Sequence, residues 1–163
     1  KVRYKNTFSV IFDVQPELYE YCIVKLVLQP ILENAINYGV GSMDDCGEIK
    51  VTGRMQGENI ILSVTDNGLG MTEEEVDLIL TDSKRIRKHG SGVGLVNVNN
   101  RIQILFGKEY GLVVESEPDE GTTVSICIPA VLYTEDNRED LEKGRMFRKE
   151  ETAKEVQVKR DDE

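Results

Sequence analysis

The chain has 163 residues, enough for one well-buried domain of ordinary size and too few for two generous ones. With 30 acidic against 20 basic residues the formal net charge is -10, which argues against a nucleic-acid-coating or anionic-membrane-binding protein, because a polyanion is repelled at long range. No stretch is long and apolar enough to span a bilayer, no signal peptide is recognisable, and Cys22, Cys46 and Cys127 lack CxxC or Cys/His spacing, so neither disulfides nor zinc are suggested and a reduced, intracellular setting is expected.

In chain order, residues 8–14 read as a strand stopped by Pro16. Residues 23–38 read as a helix with Leu28, Ile31, Leu32, Ala35 and Ile36 on an apolar stripe. Pro30, Glu33, Asn34, Asn37 and Tyr38 recur on another face, and Gly39 and Gly41 end the helix. Residues 48–55 and 59–65 alternate around Gln56-Gly57-Glu58 as a hairpin whose second strand is largely buried. Thr72 and Glu75 form a capping box for a short helix to about Leu80. A basic loop, 83–89, precedes Gly90-Ser91-Gly92-Val93-Gly94 and a helix reaching Phe106; strands over 112–116 and 122–128 flank a turn at 118–121. Five strands and three helices of this order predict an α/β (α+β) two-layer sandwich with a mixed, mostly antiparallel sheet. Beyond residue 130 the composition changes: 19 of 33 positions are charged, against 31 of the first 130. Residues 131–163 cannot build a core alone and are expected to be a charged extension, helical over about 137–149 or solvated, beside a domain of residues 1–130.

Chemistry enters with the glycines. Gly90-Ser91-Gly92-Val93-Gly94-Leu95 opens a helix, where unencumbered N–H groups can wrap a phosphate; the bland alternative is a flexible hinge. A dinucleotide fingerprint lacks its preceding buried strand, and a P-loop lacks its Gly-Lys-Ser/Thr ending. Asp66-Asn67-Gly68-Leu69-Gly70 closes a buried strand, where a carboxylate must accept hydrogen bonds and an adenine amine is one donor that suits; an ordinary Asp-Asn-Gly turn is the alternative. Asn34 offers a carbonyl to a magnesium ion that otherwise keeps waters and phosphate oxygens, or is simply a surface asparagine.

Taken together and in order, these segments resemble the nucleotide-binding boxes of the GHKL superfamily, which includes gyrase, Hsp90, histidine kinases and MutL. Residues 28–39 (LQPILENAINYG) are similar to the N box, Asp66 to Met71 to the first glycine box, and Gly90 to Leu95 to the second. Gly121-Thr122-Thr123-Val124 before Ile128-Pro129 is similar to the closing strand, and Leu28-Gln29-Pro30 before Glu33-Asn34-Ala35 most resembles sensor histidine kinases of the LytS/YesM type. The resemblance implies a Bergerat fold that binds ATP and Mg²⁺. It implies that Asn34 ligates the metal, that Asp66 meets the adenine amine with Thr122 nearby through water, and that Tyr38 lies along the base. Gly68, Gly70 and Met71 would form the turn under the nucleotide, with Asn37 beside it. Gly90, Ser91, Gly92, Val93, Gly94 and Leu95 would face phosphate, and Arg85, Arg87 and Lys88, with Lys84, would supply lid cations. No residue takes a settled catalytic role, and Glu33 is the candidate for one.

Two departures carry information. Asn37 and Tyr38 stand where related kinases often carry lysine and histidine. Pro30 stands where hydrolysing members carry a water-activating glutamate, and proline cannot accept a proton, so transfer to a protein nucleophile is expected rather than hydrolysis. The lone His89 lies beside the second glycine box, so the phosphoacceptor histidine is expected on an upstream dimerisation domain, with a response regulator receiving the phosphate. The resemblance thus implies the cytoplasmic catalytic domain of a membrane-anchored sensor kinase, without nucleic-acid or direct membrane contact. The alternatives are an anti-sigma-type serine kinase of the same fold and a catalytically silent nucleotide-binding module.

Overall fold

A computed structural model of the chain describes residues 8–42, 47–81 and 93–139. Five strands form one sheet in the order β1-β2-β3-β5-β4. They are β1 (Phe8–Val14), β2 (Gly47–Gln56), β3 (Asn59–Asp66), β4 (Gly111–Glu117) and β5 (Gly121–Pro129). β1 runs parallel to β2 at one edge, which requires a crossover, and every other pairing is antiparallel. The crossover carries helix α1 (Leu28–Asn34); α2 (Glu73–Thr81) and α3 (Val93–Phe106) follow β3.

Alternation along the strands decides which face is covered. Ile49 and Val51, Ile60, Leu62 and Val64, Leu112 and Val114, and Val124, Ile126 and Ile128 are buried in one core with Ile31, Leu95, Val98 and Ile102 of the helices. The opposite face of β3 and β5 is polar, with hydroxyl pairs Ser63–Ser125 at 2.9 Å and Thr65–Thr123 at 3.0 Å. β3 is largely buried, as its Ile60-Ile61-Leu62 run suggests, with Thr65 its one exposed residue. At the β1 edge, Arg54 of β2 donates to the Asp13 carbonyl and carboxylate, and its guanidinium holds that exposed carboxyl below its ordinary range.

The predicted strands and the capping box stand: Thr72 N donates to the Glu75 carboxylate at 2.9 Å, and Glu75 N reaches back to the Thr72 hydroxyl at 3.4 Å. The predicted helix over 23–38 does not. Residues 23–27 are non-helical because Leu26 takes a left-handed backbone, φ +63°, while Val24 and Val27 turn into the core. Pro30 falls in the first turn of α1, where its missing N–H costs no helical hydrogen bond, so it does not act as a kink.

After Asn34 the helix widens into a π turn, Ala35–Gly39, followed by a 3₁₀ turn, Val40–Ser42. In a regular helix Ile31 would share a face with Asn34, Ala35 and then residue 38. The extra residue moves that place on by one: Gly39 and Val40 are buried, and Tyr38 is 43% exposed.

Beyond β5 the chain stays attached for a few residues. Cys22 N donates to the Val131 carbonyl at 2.7 Å and Tyr133 N to the Glu20 carbonyl at 3.0 Å. Thr134 and Asn137 then exchange backbone-to-side-chain bonds, the form of a helix start, and most of the helix expected over 137–149 lies outside the described residues.

Candidate functional site

Asp66 ends β3 at the middle of the sheet, only 4% exposed, with Thr122 of β5 (6% exposed) as its register partner. Its carboxylate accepts the Gly68 N–H at 3.0 Å. Burial pushes the Asp66 pKa up, and the backbone N–H groups of Gly68 and Thr122 pull it part of the way back. The group is thus a poorly solvated acceptor held at a fixed position.

Three chain segments meet there with no room to spare. A methyl group placed on Gly39 would overlap the Asp66 carboxylate, and one on Gly68 would overlap the Gly39 backbone. One on Gly121 would overlap the Asp66 carbonyl. Gly70 has φ +65° and lies so close to the Glu117 carbonyl that no side chain fits. Asn67 pins the same loop to β2, its side-chain oxygen accepting the Glu48 N–H at 2.7 Å. The π turn, the loop after β3 and the β4–β5 hairpin are therefore built as one unit.

Ser116 joins that unit and was not among the residues the sequence pointed to. Its hydroxyl accepts the Met71 N–H at 2.8 Å and lies 2.8 Å from the Gly121 carbonyl and 2.9 Å from the Thr122 hydroxyl. The available signal was alternation: Leu112 and Val114 face inward on β4, so the next inward position carries a lone polar residue. Gly39 closes the N-box-like segment and ends the predicted helix, but its spacing of five residues from Asn34 brings it against Asp66 only through the π turn.

Of the predicted set, Asp66, Gly68, Gly70, Met71 and Thr122 come together at this end of the sheet. Asn34, 9% exposed, ends α1 at the start of the π turn that closes on Asp66, so it is not a surface asparagine. Asn37 and Tyr38 lie on the exposed side of that turn. Glu33 is exposed and accepts a hydrogen bond from Gln29 at 2.8 Å. At the start of α3, Val93 is 37% exposed, Leu95 is in the core, and a methyl on Gly94 would stand 3.0 Å from Pro30, so α3 and α1 pack closely where phosphate was expected. Lys84, Arg85, Arg87, Lys88, His89, Gly90, Ser91 and Gly92 lie outside the described residues.

A cleft of about 740 Å³ borders this unit, lined by Asp66, Ser116, Gly121 and Thr122 and by Glu73 and Val76 of α2. Glu115, Glu117 and Glu120 give it an acidic rim. Such a rim repels anions and tolerates neutral groups.

The family described as histidine kinase-, DNA gyrase B- and HSP90-like ATPase matches residues 23–132. The chain belongs to that family. It is 38% identical over 130 residues to the uncharacterized protein YwpD of Bacillus subtilis (strain 168), covering 78% of this chain and 44% of YwpD. To the sensor histidine kinase YesM of the same organism it is 32% identical over 130 residues, covering 79% of this chain and 21% of YesM. Among solved structures, the catalytic domain of histidine kinase ThkA shares its fold with a TM-score of 0.59 at 20% identity, over 76% of this chain and 80% of that one. The expected superfamily and α/β sandwich are thereby borne out, and within the family the chain sides with the sensor histidine kinases. The chain spans less than half the length of the two curated relatives.

Proposed function

We propose that this domain binds ATP and donates its γ-phosphoryl group to a histidine on a separate dimerisation domain of the same protein, the phosphate then passing to a response regulator. The observation that carries the reading is Asp66, a buried carboxylate whose position is fixed by Gly39, Gly68 and the Thr122 amide. Such an acceptor favours the exocyclic amine of adenine, since a desolvated charged acceptor gains most from a donor brought by the ligand.

Asn34 fits the part of a magnesium ligand: an amide oxygen is a hard donor, and a single one suffices for an ion that keeps waters and phosphate oxygens. Mg²⁺, when bound, neutralises charge on the phosphates. The chain's own residues orient the nucleotide, through Asp66, Thr122, Gly68 and Gly70 at the base and through the start of α3, Val93 and Gly94, toward the phosphates. Arg85, Arg87, Lys88, Gly90, Ser91 and Gly92 complete the proposed phosphate side. Pro30 supplies no base one turn before Asn34, which favours transfer over hydrolysis. The domain proper is assigned to residues 1–130 with 131–163 as a charged extension, in a membrane-anchored sensor. Among the described residues no helix is long and apolar enough to cross a membrane.

The test has two arms. Asp66→Asn lowers ATP affinity at least ~100-fold, as expected for loss of a buried charged acceptor, with an unchanged circular dichroism spectrum; retained affinity overturns the site. Labelled ATP, mixed with the chain and its dimerisation domain, leaves acid-labile phosphate on histidine. Acid-stable phosphate points instead to a serine kinase, and no transfer to a silent module.

A further inference from the structure

The two edges of the sheet are built differently. At β4 the edge carries Glu115 and Glu117, so two copies brought together there would set like charges side by side. At β1 the run Phe8-Ser9-Val10-Ile11-Phe12-Asp13-Val14 has no lysine, proline, glycine or bulge. Its one charge, Asp13, is answered by Arg54 and Lys50 of β2. Val10, Ile11 and Phe12 are 40%, 42% and 68% exposed. β1 therefore lacks the devices that keep a sheet edge from pairing.

The register fixes which groups lie open. Gln15 N donates to the Gly53 carbonyl at 3.1 Å, one residue past the Val14–Gly53 pair. Residues of a strand alternate between its two sides, so Ser9, Ile11 and Asp13 serve β2, while Val10 and Phe12 turn their N–H and C=O groups outward. No strand among the described residues takes that side. The side chains of the same two residues share a face with Ile49 and Val51, the face on which the helices lie. Phe8 and Val14, at the ends of β1, pack on the core, and the middle of that face stays open.

We infer that β1 is a homotypic docking edge, on which a second copy of this chain adds its own β1 antiparallel about a two-fold axis at Ile11. What selects a second copy is the pattern of the strand: from Ile11 outward in either direction it runs apolar, polar, apolar. A two-fold contact sets residue i against j and j against i, so a strand matches itself when its pattern reads alike both ways. Val10 then faces Phe12 of the second copy in a hydrogen-bonded pair, and Phe12 faces Val10, so the open backbone groups of both are satisfied and both side chains are covered. Ser9 faces Asp13, a hydroxyl donor against a carboxylate, and Ile11 meets Ile11 in a non-hydrogen-bonded pair. Seven residues make a contact about 23 Å long, well short of the ~800 Å² per partner of a stable complex. The pairing is accordingly weak between free chains, with a dissociation constant of about 0.1–1 mM. Two copies held by the proposed dimerisation domain would meet at an effective concentration of that order.

The experiment is sedimentation of the full chain, without nucleotide, up to about 1 mM. Wild type is expected to pass from monomer to dimer across that range. Phe12→Lys, at a position exposed enough to leave the fold and its circular dichroism intact, weakens the dimer at least ~10-fold. Val113→Lys, at an exposed position of the β4 edge, leaves it unchanged. Oxidative crosslinking then reads the register. In Ile11→Cys the two Cα atoms meet at about 4.5 Å across the axis, so a disulfide-linked dimer forms readily. In Val10→Cys the two thiols lie two residues out of step, beyond disulfide reach, and crosslinking stays at the level of the wild-type chain with its own three cysteines.

A chain that remains monomeric to about 1 mM overturns the inference, as does a dimer that Phe12→Lys leaves unchanged. Crosslinking of Val10→Cys as fast as that of Ile11→Cys overturns the axis at Ile11. The experiment involves no nucleotide, so its failure would leave the reading of Asp66 untouched.

Discussion

The β2–β3 hairpin turns on a glycine at each end, and the two glycines share a backbone conformation while differing in everything around them. Gly57, in the turn joining the strands, has φ +61° and nothing within 4 Å of where a side chain would point. Gly70, in the loop beyond Asp66, has φ +65° and the Glu117 carbonyl pressed against it. The conformational requirement is the same at both, so the difference is packing. The open end of the hairpin connects strands; the crowded end holds a carboxylate in place. At Gly57 the left-handed backbone serves a turn alone; at Gly70 the contact with Glu117 also ties that turn to the β4–β5 hairpin.

The contrast can be tested by substitution, starting with the largest effect. Gly70→Ala combines a strained backbone with an overlap on Glu117 and should destabilise the domain by about 3 kcal/mol, read as a fall in the urea midpoint at unchanged slope. A midpoint near wild type would show that the loop can move off the β4–β5 hairpin. Gly39→Ala pushes directly on the Asp66 carboxylate and should cost ATP roughly 10–100-fold in affinity, more than its effect on folding explains, because the acceptor itself is displaced. Equal losses in the two quantities would make Gly39 a packing residue only.

The third effect is a pH dependence with opposite signs in binding and stability. Burial raises the Asp66 pKa, so as pH falls ATP affinity should weaken at a higher pH than an ordinary aspartate would give, where the carboxylate takes up its proton. The nucleotide-free domain follows the other slope. A raised folded-state pKa contributes stability that is present below the unfolded value and lost as pH rises through the folded one. Asp66→Asn removes both slopes in isothermal titration and urea melts. The smallest effect belongs to the open turn: Gly57→Ala should cost about 1 kcal/mol of stability for its backbone alone and leave ATP affinity unchanged.

Much of this was legible in the residues and some of it was not, for physical reasons. Strands declare themselves by alternation, which is why β2, β3 and β5 fall where Ile49, Val51, Ile60, Val64, Val124 and Ile126 predict. The Thr72–Glu75 pair announces its helix because capping is local. Asp66, Gly68 and Thr122 were found through a family resemblance, and the structure then gave each a contact. What escaped depends on shape. Nothing in Cys22-Ile23-Val24-Lys25-Leu26 signals that Leu26 adopts a left-handed backbone, since a bulky apolar residue is a poor candidate for it. The polar face read through Pro30, Glu33, Asn34, Asn37 and Tyr38 assumed one helical period throughout, and the π turn breaks that period, separating buried Asn34 from exposed Tyr38. Ser116 was hidden by its ordinariness, a serine near a strand end whose partners lie in the loop after β3 and at the start of β5.

The π turn also makes chain length at this point more consequential than side-chain identity. At the present chain length, a regular helix through Ala35–Gly39 would rotate everything after it by one position. The bulk of Tyr38 would then face the Asp66 carboxylate, where even a methyl group does not fit. By contrast, the exposed Tyr38 can be exchanged for many side chains in place. Deleting one of residues 36–38 would instead return Gly39 to that face of a regular helix, so the wide turn and the extra residue are matched to each other, and changing either one alone displaces Gly39 from Asp66.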